Sequence, residues 1–181
     1  LTLDAGQTPG ADMVEFFDFL IDLARADPIV ALILRSHFWF VEQVRRLPDG
    51  AVRDRWTAEI AAGKIVGNAT SERTGSAGAK DFRTELRPID GGWMCHGAKF
   101  YSTGTAFADW VSVSAIIRGG STADRCARVV LPVDREGITI IDDWDGIGQH
   151  RTGTGSTVLR DVLVTRDDVL EFTDVTGEGP V

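Results

Sequence analysis

The chain has 181 residues, 43% of them hydrophobic and 25% charged, with a formal net charge of −8. That is enough for one large domain or two small ones with real cores, and the composition is that of a soluble globular protein. The acidic balance argues against a nucleic-acid or anionic-membrane partner, because both need a basic footprint.

Leu1 opens the chain without a methionine. Pro9-Gly10 makes a break, and Asp12 with Glu15 three residues later has the spacing of a capping box. Phe16, Leu20, Leu23 and Ala24 then recur at helical spacing. Asp27-Pro28 restarts the helix, with Asp as N-cap and Pro at the first helical position, where its missing N–H costs nothing. This second helix is strongly apolar from Ile29 to Val41, so coverage on most sides is expected. Arg35, Ser36 and His37 interrupt the run, which marks a buried helix and not a membrane span. Leu47-Pro48-Asp49-Gly50 stops it, a third helix runs roughly from Val52 to Ala62, and Gly63 suits its C-terminal exit.

From Lys64 onward the period changes to two. Val111, Val113, Ala115 and Ile117 alternate with Ser112, Ser114, Ile116 and Arg118, and Ala127, Val129, Leu131 and Val133 repeat the pattern. Turn signals fall at Asp90-Gly91-Gly92, Gly119-Gly120, Glu136-Gly137 and Asp145-Gly146. Strands at this spacing predict an antiparallel barrel or sandwich. The chain is therefore expected to be α+β, with an N-terminal all-α helical part over 1–64 and an antiparallel β-barrel middle domain over 65–172. Residues 173–181, ending Gly177-Glu178-Gly179-Pro180-Val181, have the composition of a linker. Both ends suggest a piece of a longer polypeptide.

Several chemistries fail on their own terms. Gly92 to Gly97 has the glycine spacing of a Walker loop, but Ala98 stands where lysine must follow. Gly146-Ile147-Gly148 and Gly153-Thr154-Gly155 sit among strands, which defeats a dinucleotide-binding assignment. His37, His96 and His150 are scattered without paired ligand spacing, so no metal is expected. Cys95 and Cys126 leave a disulfide open, although an acidic enzyme with few cysteines and no secretory signal keeps them reduced in the cytoplasm.

Asn68-Ala69-Thr70-Ser71-Glu72-Arg73-Thr74-Gly75-Ser76 resembles a segment of the acyl-CoA dehydrogenase superfamily, at the point where helices give way to strands. Gly97-Ala98-Lys99-Phe100-Tyr101-Ser102-Thr103-Gly104, Ala108-Asp109-Trp110 and Leu159-Arg160-Asp161-Val162-Leu163-Val164 follow in that family's order. Arg73 replaces the dehydrogenase proline and Ala77 its aspartate, which weakens an acyl-CoA site. Lys99-Phe100-Tyr101-Ser102-Thr103-Gly104 together with Asp142-Asp143-Trp144-Asp145-Gly146-Ile147-Gly148 resembles the dibenzothiophene monooxygenase-like branch, which uses reduced FMN and dioxygen.

The resemblance implies a C-terminal helical bundle missing from this chain, a homotetramer, a separate flavin reductase as partner and FMN (or FAD) as cofactor. It implies attack on a small apolar or sulfur-containing substrate by a C4a-hydroperoxyflavin that must be shielded from water. Carried onto this chain, it places Phe100 and Ser102 at the flavin, with the Ser102 hydroxyl near N5. Asn68, Thr70 and Ser71 fall at the pyrimidine edge and ribityl chain, and Trp144 walls the pocket. His37, Asn68 and Ser102 are the candidates for catalytic roles. Each also has an ordinary structural role open to it: core aromatics for Phe100 and Trp144, backbone satisfaction for the polar residues, a buried core histidine for His37. Two other functions stay open, an FAD-dependent acyl-CoA dehydrogenase and a non-catalytic binding or assembly module.

Overall fold

A computed structural model describes residues 12–73, 82–118 and 124–174, the last four of these by backbone alone. Pro9-Gly10, the Thr74–Ser76 end of the first motif, Ala77, the Gly119-Gly120 turn and residues 175–181 lie outside them.

Three helices come first: α1 (Met13–Ala26), α2 (Pro28–Arg46) and α3 (Ala51–Ala61). The expected caps are present. Asp12 accepts from the backbone of Val14 and Glu15 at 2.8 and 2.9 Å, while Glu15 reaches back to the Asp12 N–H at 3.1 Å. Asp27 serves two helices, donating its N–H to Leu23 at the end of α1 and accepting from Ile29 at 2.8 Å at the start of α2. Coverage of α2 is narrower than its composition suggests. Ser36, Phe40, Val41 and Val44 are its buried residues, while Val30 and Trp39 stay exposed. The reason is geometric: one sheet face meets one helical stripe, and α1 covers only part of the rest. Phe16 and Phe19 of α1 meet Phe38 edge-on, and α1 itself has no buried residue.

Eight strands follow: β1 (Val66–Ala69), β2 (Glu85–Ile89), β3 (Gly92–Lys99), β4 (Trp110–Ile117), β5 (Arg125–Pro132), β6 (Ile138–Ile141), β7 (Ser156–Val164) and β8 (Val169–Asp174). They form one sheet in the order β6-β7-β3-β2-β4-β5-β8, with β1 also on β4. The expected antiparallel barrel is corrected in two respects. First, the sheet is mixed, because β1 and β2 both run parallel to β4. They share one edge of it, β1 beside Trp110–Val113 and β2 beside Ile116, since β5 takes the whole length of the other edge. Second, among the described residues the ladder has two ends, β6 and β8, and does not close.

The sheet nevertheless curls around one core. Val111, Val113, Ala115 and Ile117 of β4, with Ala127, Val129 and Leu131 of β5, share a cluster with Leu86, Cys95, Leu159, Val162 and Val164 from the other arm. Cys95 and Cys126 are buried thiols, not a disulfide. Side chains tie the two arms where a ladder does not. Arg135, in the turn between β5 and β6, makes a two-pronged contact at 2.7 and 3.0 Å with buried Asp168, which lies between β7 and β8. The opposite face of the sheet carries Val66, Val130 and Leu170, on which Phe40, Val44 and Trp56 pack. This second core fixes α2 and α3 against β1, where the candidate site begins.

Candidate functional site

The site is assembled where the segment after β1 crosses the end of β3. Cys95 and Lys99 are both buried on β3, and Phe100, the next residue, is half-buried. Each of four consecutive residues from Thr70 to Arg73 is tied to Lys99 or Phe100. The Thr70 carbonyl accepts from Lys99 Nζ at 3.2 Å, and the Ser71 carbonyl accepts from the Phe100 N–H at 2.8 Å. Glu72 Oε1 lies 2.7 Å from Lys99 Nζ, and the Arg73 guanidinium stacks 4.0 Å over the Phe100 ring.

Lys99 is wholly buried and the Glu72 side chain is 4% exposed. The Glu72 carboxylate also accepts the N–H groups of Arg83 at 2.7 Å and Thr84 at 3.0 Å. Burial by itself would push the Glu72 carboxyl up. The Lys99 hydrogen bond and the two backbone donors outweigh it and hold the group below its ordinary value, so it is ionised. Burial pulls Lys99 down, while the Glu72 carboxylate opposes that shift.

Beyond Phe100 the chain turns at Tyr101 (φ +57°) and Gly104 (φ +77°), where a Cβ would come 2.9 Å from the Ile33 carbonyl of α2. Ser102 donates its N–H to the Gly155 carbonyl at 2.9 Å. Its hydroxyl is buried and has no hydrogen-bond partner among the described residues, as do those of Thr84 and Thr157. Thr105 Oγ1 donates to the Asn68 carbonyl at 3.4 Å, which brings β1 against this turn. Thr70 Oγ1 donates to Asn68 Oδ1 at 2.8 Å and lies 3.3 Å from Ser114 Oγ.

Asn68 is thus bonded to Thr70, and Ser71 to Phe100, while Ser102 is linked to Asn68 through Thr105, which donates its N–H to the Ser102 carbonyl at 3.3 Å and its hydroxyl to the Asn68 carbonyl. Trp144 meets Tyr101 edge-on, ring centroids 5.7 Å apart, and donates its indole N–H to the Gly148 carbonyl at 2.7 Å. Asp143 beside it accepts from the N–H and hydroxyl of Ser156 at 2.7 and 2.6 Å. The Ser156 hydroxyl bond holds its carboxyl below the ordinary range, with help from the Arg73 charge. His37 of α2 meets β1: its Nδ1 accepts from the Val66 N–H at 3.3 Å, and burial lowers its pKa, which favours that neutral acceptor form. Among the described residues no group of three or more His, Cys, Asp or Glu could hold a metal ion, and no helix is long and apolar enough to cross a membrane.

Half-exposed aromatic surface beside an unpartnered hydroxyl and an amide–hydroxyl strip fits a flat ring system with a polar edge. No family model matches the chain. Over 164 residues it is 26% identical to dibenzothiophene monooxygenase of Rhodococcus erythropolis, covering 89% of this chain and 39% of that protein. The probable FMNH2-dependent monooxygenase SfnC of Pseudomonas putida is 26% identical over 163 residues, again 89% of this chain and 39% of that one. The structure of TdsC from Paenibacillus sp. A11-2 with FMN and indole matches with a TM-score of 0.77 and 27% identity, over 85% of this chain and 38% of that chain. A putative acyl-CoA dehydrogenase, YdbM of Bacillus subtilis, is 25% identical over 182 residues, 95% of this chain and 46% of that protein, so the relatives include named monooxygenases, one of them FMNH2-dependent, and a named dehydrogenase. The chain spans 39% of the length of the curated relatives it matches first.

The motif reading overlooked two features of the site that the structure shows. Lys99 as a buried cation is one, although its even spacing from Cys95 along β3 placed it on the same inward face. The other is Gly155, whose carbonyl holds Ser102. A Cβ there would lie 2.0 Å from the Ile141 carbonyl oxygen and 3.3 Å from Asp143 Oδ1. Gly155→Ala is therefore expected to force β6 from β7 and destabilise the fold by about 1–3 kcal/mol. Denaturant unfolding checks this; a variant within ~0.5 kcal/mol of the parent, the range of ordinary surface changes, would contradict the close approach.

Proposed function

We propose that the protein to which this chain belongs is a flavin-dependent monooxygenase that oxygenates a small apolar or sulfur-containing molecule. What supports this above all is the stitching of Thr70–Arg73 to Lys99–Phe100 beside the unpartnered Ser102 hydroxyl, in a fold whose homologues use FMN.

Asn68, Thr70 and Ser71 would hold the pyrimidine edge and ribityl chain, Phe100 and Trp144 would wall the ring, and Ser102 would offer its hydroxyl near N5. Reduced FMN, when bound, supplies the electrons and the dioxygen chemistry. The chain's own residues orient and enclose: the aromatic side chains exclude water, and the Asn68–Thr70–Ser114 strip fixes the polar edge. With Nδ1 held by Val66, His37 has its other ring nitrogen to turn toward a substrate, and with Asn68 and Ser102 it completes the candidate catalytic set.

A separate flavin reductase would deliver the reduced cofactor, in the cytoplasm. Residues 1–64 would form the N-terminal helical domain and 65–174 the middle domain, since β8 runs two residues past the boundary expected at 172, and the chain after Asp174 would link to a C-terminal helical bundle that builds a homotetramer.

The test uses the full-length protein. FMN at one hundred times its Kd is expected to stabilise the fold by about 2.7 kcal/mol. Oxygen uptake with reduced FMN should depend on a member of a panel of sulfides, thiophenes and aromatics, and the product should gain one oxygen atom. Tightly bound FAD with acyl-CoA turnover in the absence of oxygen would overturn the proposal in favour of a dehydrogenase. Absence of any flavin effect would leave a non-catalytic module.

A further inference from the structure

Among the described residues, Lys99 and Glu72 form a buried ion pair that no part of this chemistry uses. Its members are 0% and 4% exposed, and the bonds they make run to other protein groups. Such a pair is a poor way to gain stability, because burying two charges costs about as much as their attraction returns, and apolar residues of like volume often do better. What apolar side chains cannot supply is direction.

Lys99 Nζ points at the Thr70 carbonyl (3.2 Å), the Glu72 carboxylate (2.7 Å) and the face of the Phe82 ring (4.0 Å). Glu72 in turn grips the N–H groups of Arg83 and Thr84. One buried pair thereby fixes the end of the 70–73 segment, the entry to β2 and the end of β3. Lys99 and Glu72 lie inside, while their chain neighbours Phe100 and Arg73 stack on the outer side. The inner pair sets the spacing of the outer one.

We propose that Lys99 and Glu72 are positioning residues for the flavin wall: their buried contact holds Thr70 and Ser71 at the distance from Phe100 that FMN binding and productive oxygen use require. This rests on the FMN reading of the site. The geometry predicts that charge and length both matter, since a shorter carboxylate cannot reach Nζ and both backbone donors at once.

The experiment compares four full-length proteins: wild type, Glu72→Asp, Lys99→Met, and the double variant Lys99→Met with Glu72→Leu. Folding is followed by thermal unfolding, FMN affinity by flavin fluorescence, and coupling by hydrogen peroxide released per oxygen consumed. Lys99→Met is expected to melt well below wild type, and the double variant to recover most of that loss. Glu72→Asp and the double variant should nevertheless bind FMN roughly 10-fold more weakly or worse and release more peroxide, the expected result of a misplaced wall. A purely structural pair would show the opposite: folded Glu72→Asp and double variants with wild-type FMN affinity and coupling, which overturns the inference while leaving the FMN reading intact. Wild-type protein that fails to bind FMN overturns both.

Discussion

Lys99→Met alone is expected to destabilise the protein by about 3–5 kcal/mol, because it leaves the Glu72 carboxylate buried and unpaired. The loss is more than a missing bond. Methionine fills most of the lysine's volume, so packing around Phe82 and Cys95 changes little, while the carboxylate keeps the Arg83 and Thr84 donors and loses its counter-charge. Glu72 also makes the effect depend on pH. Its folded pKa lies below the ordinary value of 4.5, so its contribution is complete above that value and is lost as pH falls through the folded pKa. Denaturant unfolding of the parent should therefore lose stability on acidification below about 4.5, the reference value of the free group. In Glu72→Gln that acid dependence should flatten. An unchanged acid limb would show that Glu72 is not ionised in the fold.

Trp56→Ala should cost a similar amount, about 3–5 kcal/mol, through a cavity instead of a charge. The Trp56 ring is 1% exposed and meets Phe40 and Trp110 edge-on at 5.3 and 5.0 Å. It is the joint between α3, α2 and β4, and Arg55 beside it stacks on both indoles and donates to the Asp167 carbonyl at 2.7 Å. Relaxation around the void is limited, since the Phe40 and Val44 side chains are themselves held by the sheet. Unfolding midpoint and near-ultraviolet circular dichroism would both register the loss. A change under ~1 kcal/mol would mean that α3 does not dock on the sheet through this ring.

Local signals were legible in the sequence, and non-local ones were not. The Asp12–Glu15 box, the shared Asp27 cap and the alternation of Val111 to Ile117 all act within a few residues, and each is found as expected. Which strand pairs with which is a different matter: nothing local to Val66–Ala69 says that it lies parallel to Trp110–Val113. The same limit applies to the site. Motif order drew attention to Asn68, Thr70, Ser71, Phe100, Ser102 and Trp144, but the bonds that hold Asn68, Thr70 and Ser71 against the end of β3 and the turn after it run between residues about thirty or more positions apart. Lys99 stands in the second motif but drew no role, because lysine inside a β unit is rare, and strand parity carries little weight against that expectation until a partner is seen. The apolar content of α2 overstated its coverage, since composition does not say how many neighbours a helix has.

The parallel pairing of β1 with β4 has a consequence for biosynthesis. β1 cannot gain its partner until the ribosome has released the chain past Val113, and the Leu170 that completes the second core comes out some hundred residues after β1. The helices therefore emerge first, with Phe40, Val44 and Trp56 still facing water. Until the last strands arrive, that stripe is a binding surface for chaperones and a hazard for self-association, so slower translation or a missing holdase should reduce the yield of this protein before any change in its finished fold.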